Sequence, residues 1–384
     1  MIKKLGTAIS EYSVRNKLDE EIPVYSVTNE QGFCTGYFSK DVASKDRTTY
    51  KIVPYGYFAY NPSRINVGSV DWQHSEERVI VSPLYVVFGV DESVDKRYLL
   101  HYLKSDIARM LIKNYASGSV RDNLKLSTLM EFPFNFRSLE EQKEIANVLD
   151  KIDYLIGVQK QRMDYFDRLV KSRFIELFGD LDLNSMDWVQ KPLGEVCEQV
   201  KRYPTFCNME YIQSGVRVIR IGNILIDGHI DTNDENYVFV YEDANNDYPD
   251  TVIEENDIIM AVRGDGSAAK RIGIVTEPKL FGANISPNLI RIKAKQELLV
   301  PLFLFYYLTG EVGQARLDAF VNKTAKKNIA AKDIVKVITP IPPIKLQRQF
   351  AAFVAQTDKS KLAVQQGLQE LETLKKSLMQ QYFG

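Results

Sequence analysis

The chain has 384 residues, with 49 Lys and Arg against 50 Asp and Glu and a net charge of −1. Hydrophobic residues at 45% and charged residues at 26% are ordinary for folded proteins and exclude wholesale disorder. The length suffices for two or more domains with their own cores, and the neutral total means that any basic surface for nucleic acid must be local.

Met1-Ile2-Lys3-Lys4 opens the chain without an apolar h-region, so no signal peptide is read there. No apolar run approaches the ~18 residues that would span a bilayer, and a cytoplasmic protein with no membrane partner is expected. Cys34, Cys197 and Cys207 form no Cys-x-x-Cys and have no histidine placed to complete a zinc site. A Cys197–Cys207 bridge is conceivable by proximity, but so few cysteines in so long a chain fit a reducing compartment.

Strand patterns occur at Ile22–Val27 and Val79–Phe88 in the first part of the chain. A short helical segment follows around Tyr98–Leu103, then a loop, then a long helix from Leu139 to Gly179. The second part carries strand patterns at Arg217–Ile221, Tyr237–Val240, Asp257–Val262, Ile272–Val275 and Leu289–Ile292. Asp227-Gly228 and Asn245-Asn246-Asp247 mark turns between them. A short helix around Phe303–Leu308 and a second long helix from Ile344 to Gly384 complete the chain.

The two long helices repeat one another. Leu139–Gly179 laid over Ile344–Gly384, an offset of 205, gives nine identities in 41 positions without a gap, among them Gln142/Gln347, Ala146/Ala351 and Phe178-Gly179/Phe383-Gly384. A 4-3 apolar seam runs through Ile145, Leu149, Ile152, Ile156, Gln159, Met163, Phe166, Val170, Arg173 and Leu177. The same register in the second copy gives Phe350, Val354, Thr357, Lys361, Val364, Leu368, Leu371, Lys375, Leu378 and Tyr382. Such spacing is a coiled-coil seam, and an antiparallel pairing of the two helices is expected. Similarities at Lys4-Leu5-Gly6/Pro192-Leu193-Gly194 and Ser82-Pro83/Ser286-Pro287 extend the repeat into the β-rich regions.

The expected class is therefore α+β: two β-rich heads separated by a pair of long antiparallel helices, with an internal pseudo-two-fold repeat. At ~1.5 Å per residue, a helix of this length spans roughly 60 Å. Two heads at a set distance suit a ligand with two sites at a set distance, and duplex DNA is the leading candidate. Because the heads differ strongly in sequence, the two half-sites should differ too.

Leu139-Glu140-Glu141-Gln142-Lys143-Glu144-Ile145-Ala146, closing at Phe178-Gly179, resembles the central conserved region of type I restriction-modification specificity subunits. Ile341-Pro342-Pro343-Ile344-Lys345-Leu346-Gln347 resembles their distal conserved segment, and Trp188, Leu193–Val196 and Ser286–Leu289 are similar to their second target-recognition domain. Phe136-Arg137-Ser138 stands where the family often has Pro-Pro, and Lys345-Leu346-Gln347 replaces Glu-Glu-Gln. The resemblance implies a first target-recognition domain at 1–137, a spacer helix at 138–180, a second recognition domain at 181–343 and a second spacer helix at 344–384. It further implies a non-catalytic subunit that reads a bipartite, asymmetric double-stranded target. Two modification (methyltransferase) subunits would bind S-adenosylmethionine, and optional restriction subunits, two per complex, would bind ATP and Mg²⁺. No cofactor is expected on this chain.

Phosphate contacts need cations, and base edges favour Arg, Lys, Asn and Gln. Candidate DNA-binding residues in the first head are Arg47, Lys51, Arg64, Ser119 and Arg121. Those in the second are Lys201, Arg202, Tyr203, Arg263, Ser267, Lys270, Arg271, Lys323, Lys326 and Lys327. Each is weighed against a plain solvated charge. Asn61-Pro62-Ser63-Arg64 lacks the second Pro and the aromatic of an amino-methylase motif, and Gly264–Lys270 lacks the Gly-Lys-Ser/Thr of a phosphate loop and reads as a hairpin turn. Two other functions remain open. Asp250, Glu277 and Lys279 mimic the acidic pair plus lysine of a metal-dependent nuclease, and the helices alone would serve a coiled-coil adaptor. His74, His101 and His229 are dispersed and read as ordinary surface or core residues.

Overall fold

The computed structural model describes residues 1–35, 47–116, 123–202, 210–262, 271–321 and 328–384. They form two compact units: 1–163 with 363–384, and 164–362.

In the first unit the strands are β1 (Ile2–Lys4), β2 (Ile9–Glu11), β3 (Ser26–Thr28), β4 (Gly32–Cys34), β5 (Lys51–Pro54), β6 (Phe58–Tyr60), β7 (Val70–Trp72), β8 (Arg78–Val81), β9 (Val86–Val90) and β10 (Pro133–Asn135). Its helices are α1 (Lys96–Lys104), α2 (Asp106–Ala116), α3 (Leu126–Met130) and the start of α4 (Leu139–Phe178). An antiparallel sheet in the order β2-β9-β6-β7 carries the core, with β3–β4, β5–β8 and β1–β10 as separate pairs. Phe58 faces Phe88 across the ladder and the rings stack at 5.1 Å. Behind them Tyr98, Leu99, Tyr102 and Leu103 bury one face of α1. The Asp95 carboxylate caps that helix by accepting from the Arg97 and Tyr98 amides.

The second unit contains β11 (Val189–Pro192), β12 (Cys197–Arg202), β13 (Val216–Ile219), β14 (Val238–Val240), β15 (Ile258–Ala261), β16 (Ile272–Ile274), β17 (Asn284–Ile285), β18 (Leu289–Ala294) and β19 (Ile338–Ile341). The helices are α5 (Leu193–Val196), α6 (Ala244–Asp247), α7 (Pro301–Thr309), α8 (Glu311–Asp318), α9 (Ala331–Ile334) and α10 (Ile344–Phe383), which ends in the first unit. Its main sheet, β12-β18-β15-β16, has the same order as the first, and β14-β13-β17 forms a smaller one. The expected hairpin between β15 and β16 is present, although 263–270 lie outside the described residues.

Two strand expectations were too long. Val79–Phe88 is split into β8 and β9 by a turn in which the Tyr85 amide donates to Ser82 O, with Pro83 unable to donate to a ladder. Ser286–Leu289 makes the same turn, Leu289 N–H to Ser286 O, at 2.9 Å. Ile22–Val27 contributes only its last two residues to β3, because Pro23 interrupts the donors and offers its carbonyl to Ile80 instead.

Both long helices are continuous over 40 residues. Ser138 and Glu141 form a reciprocal capping box that starts α4, each backbone amide bonded to the other's side chain. Gly179 stops α4 in the left-handed region at φ 71°, where a Cβ would strike Ser185 and Met186. Every one of the twenty seam residues is buried or half-buried. Pairing is antiparallel within each unit. In the first, Arg137 reaches Tyr382 O, Asp153 pairs with Lys375, and Lys160 with Glu372. In the second, Asp167 pairs with Lys361 at 2.7 Å and the Phe174 ring meets Phe350 at 5.2 Å. The seam lysines thus have carboxylate partners instead of apolar ones.

The repeat holds atom by atom. Gln142, fully buried, accepts from Asp95 N–H and donates to Ser93 O and Arg137 O, at 2.9 to 3.0 Å. Gln347, also fully buried, accepts from Val300 N–H and donates to Leu298 O and Pro342 O, at 2.7 to 3.0 Å. All three partners shift by 205 residues. Tyr102 Oη donates to Pro133 O, and Tyr307 Oη to Ile338 O, at the same offset. Gly6 and Gly194 answer each other too: a Cβ at Gly6 would lie 2.8 Å from Met130 Cβ, and one at Gly194 3.0 Å from Val335 Cβ. Only glycine lets the chain pass this close to the short helix below.

Candidate nucleic-acid interface

The second unit holds an open cleft of about 800 Å³, lined by Tyr211, Arg220, Asn223, Asp231, Asn236 and Asn288 among others. Its floor is built by a one-turn helix, Ile221–Asn223, which follows β13. Asn223, only 2% exposed, accepts from the Arg220 amide at 2.8 Å and donates to Asn236 O at 3.1 Å. The Arg220 guanidinium reaches the same carbonyl at 3.0 Å, and Asn236 donates to the Asp231 carboxylate. Hydrogen bonds from the Asn233 amide and the Asn236 side chain hold the Asp231 carboxyl below its ordinary value, so it is an anion at neutral pH. The wall opposite is the Ser286-Pro287-Asn288 turn, anchored by Ser286 N–H to Ile219 O at 2.9 Å.

Strand ends converge on that wall. Arg202, at the end of β12, donates from Nε to Pro287 O at 2.9 Å. Val262, following β15, donates its amide to Asn288 O at 2.9 Å. Two of the loops picked from sequence therefore have their described ends at the cleft wall. Such a constellation of amides, a guanidinium and an exposed tyrosine offers donors and acceptors suited to base edges and phosphates.

Of the sequence candidates in this unit, Lys201 is exposed and pairs with Asp250 at 2.9 Å. Arg271 is half-buried and donates to Ile224 O at 3.1 Å. Tyr203, Arg263, Ser267, Lys270, Lys323, Lys326 and Lys327 lie outside the described residues, as do Ser119 and Arg121 in the first unit and Cys207. Cys34 and Cys197 are free thiols, and burial raises Cys197 to about 12.

In the first unit Arg64 is exposed beside the one-turn helix Ile65–Val67. Arg47 is half-buried, with its carbonyl accepting from the Tyr50 amide. Lys51 donates from Nζ to Tyr85 O at 2.6 Å, and burial lowers its affinity for a proton against the pull of Glu11. That ammonium supports its own fold as much as it offers charge outward. A smaller cleft, about 420 Å³, lies between Pro62, Ile65 and Asn66 on one side and Arg109, Met110 and Lys113 of α2 on the other.

Sequence reasoning did not single out Tyr211, Arg220, Asn223 and Asn236, nor Arg109 and Lys113. Asn288 was noticed only within the Ser286–Leu289 similarity. No local pattern marks the others: those of the second unit meet through the packing of β13, β14 and the turn before β18, and Arg109 and Lys113 lie on α2 facing Pro62, Ile65 and Asn66.

Two of the three residues of the alternative nuclease reading are engaged elsewhere. Asp250 pairs with Lys201, while Lys279 pairs with Asp234 and reaches Thr232 O. Among the described residues no group of three His, Cys, Asp or Glu is placed to hold a metal ion. His74 lies against Trp72, His229 against Asp227, and buried His101 bonds Asp150 at 2.8 Å.

Residues 3–164 and 185–373 match the family described as the type I restriction modification DNA specificity domain. The chain belongs to this family. Among similar proteins, the type I restriction enzyme EcoBI specificity subunit of Escherichia coli is 24% identical over 388 residues, covering 90% of this chain and 78% of that protein. The MjaVIII specificity subunit of Methanocaldococcus jannaschii is 23% identical over 301 residues, covering 74% and 69%. The type I restriction-modification S subunit of M. genitalium shares the fold, with a TM-score of 0.55 at 16% identity over 100% of this chain and 96% of that one.

As a type I specificity chain, the protein carries the family's domain in two stretches that together cover both units. Among its described residues no helix is long and apolar enough to cross a membrane.

Proposed function

We propose that each β-rich unit reads one part of a bipartite, asymmetric DNA target, while the paired helices set the gap and dock two modification subunits. The observation that carries this reading is the contrast inside the repeat. The framework bonds of Gln142 and Gln347 are equivalent, whereas the exposed polar clefts differ in both lining and place. Arg220, Asn236 and Asn288 line one in the second unit, and Asn66, Arg109 and Lys113 line another, at a position that is not its repeat mate, in the first. Framework constancy with divergent exposed polar groups is what two readers of different sequences require.

On this reading the chain itself does no chemistry and binds no cofactor. S-adenosylmethionine sits on the modification subunits, ATP and Mg²⁺ sit on restriction subunits when two of these join, and the complex works in the cytoplasm. In the second unit the DNA is contacted by the cleft and by the residues picked from sequence, Lys201, Arg202, Tyr203, Arg263, Ser267, Lys270, Arg271, Lys323, Lys326 and Lys327. Arg47, Lys51, Arg64, Ser119 and Arg121 serve the first unit.

The test is to purify the chain with its modification subunits and map methylated adenines on genomic DNA by single-molecule sequencing. A two-part motif with unlike halves is the expected result, and Asn288→Ala with Arg220→Ala should degrade one half only. Mg²⁺-dependent cutting by the isolated chain, abolished by Glu277→Ala, would instead establish the nuclease reading.

A further inference from the structure

We infer that Gln142 and Gln347 are positioning residues that lock each recognition unit onto its own spacer helix and thereby enforce a single spacer length in the DNA target. The inference rests on the bipartite reading above and concerns its regulation of distance, not of base sequence.

Each glutamine sits in the first turn of a spacer helix and projects its amide into the loop that precedes the short core helix, α1 or α7. All three polar hydrogen-bonding roles are used: both N–H groups donate and the carbonyl accepts. The bonds tie the start of the helix and the joint just before it to a loop 47 to 49 residues earlier in the chain. These are the loop before α1 (Ser93, Asp95) or α7 (Leu298, Val300), the strand-to-helix joint (Arg137 or Pro342), and the spacer helix itself.

No other residue type does this. Glutamate at either site would set a carboxylate against two backbone carbonyls. Asparagine falls one methylene short, and an apolar side chain leaves three backbone groups without these partners. Full burial in both copies keeps water from substituting for the amide. The bonds hold the backbone of the head's central helix at a set angle to the spacer helix, and that angle is what the ends of the target must match. Adding one base pair to the gap moves a half-site by ~3.4 Å and turns it by about 34° around the duplex. A rigidly seated head cannot follow such a displacement, whereas a head that rocks on its helix can.

The experiment uses the chain assembled with its modification subunits and a genome-wide methylation map. Wild type is expected to modify sites of one spacer length. Gln142→Ala and Gln347→Ala should keep both half-site sequences while modifying sites one base pair longer or shorter at rates within about 10-fold of the parent spacing. A role in stability alone would lower methylation at every site and leave the spacer distribution unchanged. Should the alanine variants fail to fold, Val300→Pro is the second variant. It removes the N–H that Gln347 accepts while keeping an apolar side chain at the core edge, at a residue whose φ of −69° already suits proline, next to Pro301.

A folded Val300→Pro or Gln→Ala complex that keeps a single spacer overturns the inference and leaves the bipartite reading standing. A wild-type complex that modifies no two-part site overturns the bipartite reading, and the inference with it.

Discussion

The two units solve the same packing problem with different side chains. In the first, β9 places Val87 opposite Ala59 at the centre of the sheet. In the second, the same ladder position of β18 holds Arg291 opposite Ile259, and its guanidinium is 2% exposed. Asp257 answers it at 2.7 Å while itself 1% exposed, and Glu254 joins at 3.3 Å. Burial pushes the Asp257 carboxyl up, against the pull of the Glu254 amide and of Arg291. A sheet of one topology thus tolerates either an apolar or an ionic centre, provided the ionic one is internally paired. What the two units share is found elsewhere, in the short pairs β1–β10 and β11–β19, the glutamine amides and the glycines over the small helices.

The sharpest way to break this comparison is at the ends of the spacer helices. Phe178 is fully buried against Phe303 at 4.6 Å and Phe350 at 5.7 Å, while Phe383, its repeat mate, is half-buried against Tyr98 at 5.1 Å and Tyr102 at 5.9 Å. Phe178→Ala should destabilise the second unit by ~3–5 kcal/mol, and Phe383→Ala should cost the first unit clearly less. Urea unfolding of each variant measures both, and equal losses would mean the two docking sites are energetically alike. At the ionic centre, Arg291→Ala leaves Asp257 buried without its partner and should cost about 3 kcal/mol or more. Replacing both with apolar residues, Arg291→Val with Asp257→Leu, should recover most of that loss, since it brings the second sheet toward the solution adopted by the first. Failure of the double variant to recover stability would show that the ion pair also holds Glu254 and its neighbours in place.

The smallest effect separates the units by pH. Burial raises Asp150, but the hydrogen bond and charge of His101, then Arg97, outweigh burial and hold its carboxyl below the ordinary value. Tyr306 and Ala355 occupy the corresponding places in the second unit, so this contribution belongs to the first alone. A depressed folded value stabilises above the unfolded carboxylate pKa near 4 and is lost as pH falls through the folded value. Because Asp150 is 42% exposed, the gain is under about 1 kcal/mol. Unfolding curves of wild type and Asp150→Asn should differ at pH 7 and converge as the pH falls through the depressed value of the folded carboxyl.

The helices, their seam and their antiparallel partnership were legible because they depend on repeats three and four residues apart, which side-chain burial alone enforces. Gln142 and Gln347 were legible as identities of the repeat, though nothing in the pattern told what they bond. The strands were less legible: Pro23 and Pro83 cut runs whose apolar content looked continuous, since a missing donor weighs more in a ladder than hydrophobicity. The opening balance of charge said only that basic groups must be local, and packing decided which of them face outward. Lys51 bonds the Tyr85 carbonyl of its own unit, Lys201 pairs with Asp250, and Arg220 joins Asn236 and Asn288 around a cleft whose lining runs from Tyr211 to Asn288. Sequence alone determined the doubled architecture because its signals are local and periodic. Only the tertiary structure decided which polar groups line the cleft and what the two glutamines bond, because hydrogen-bond partners distant along the chain leave no local trace.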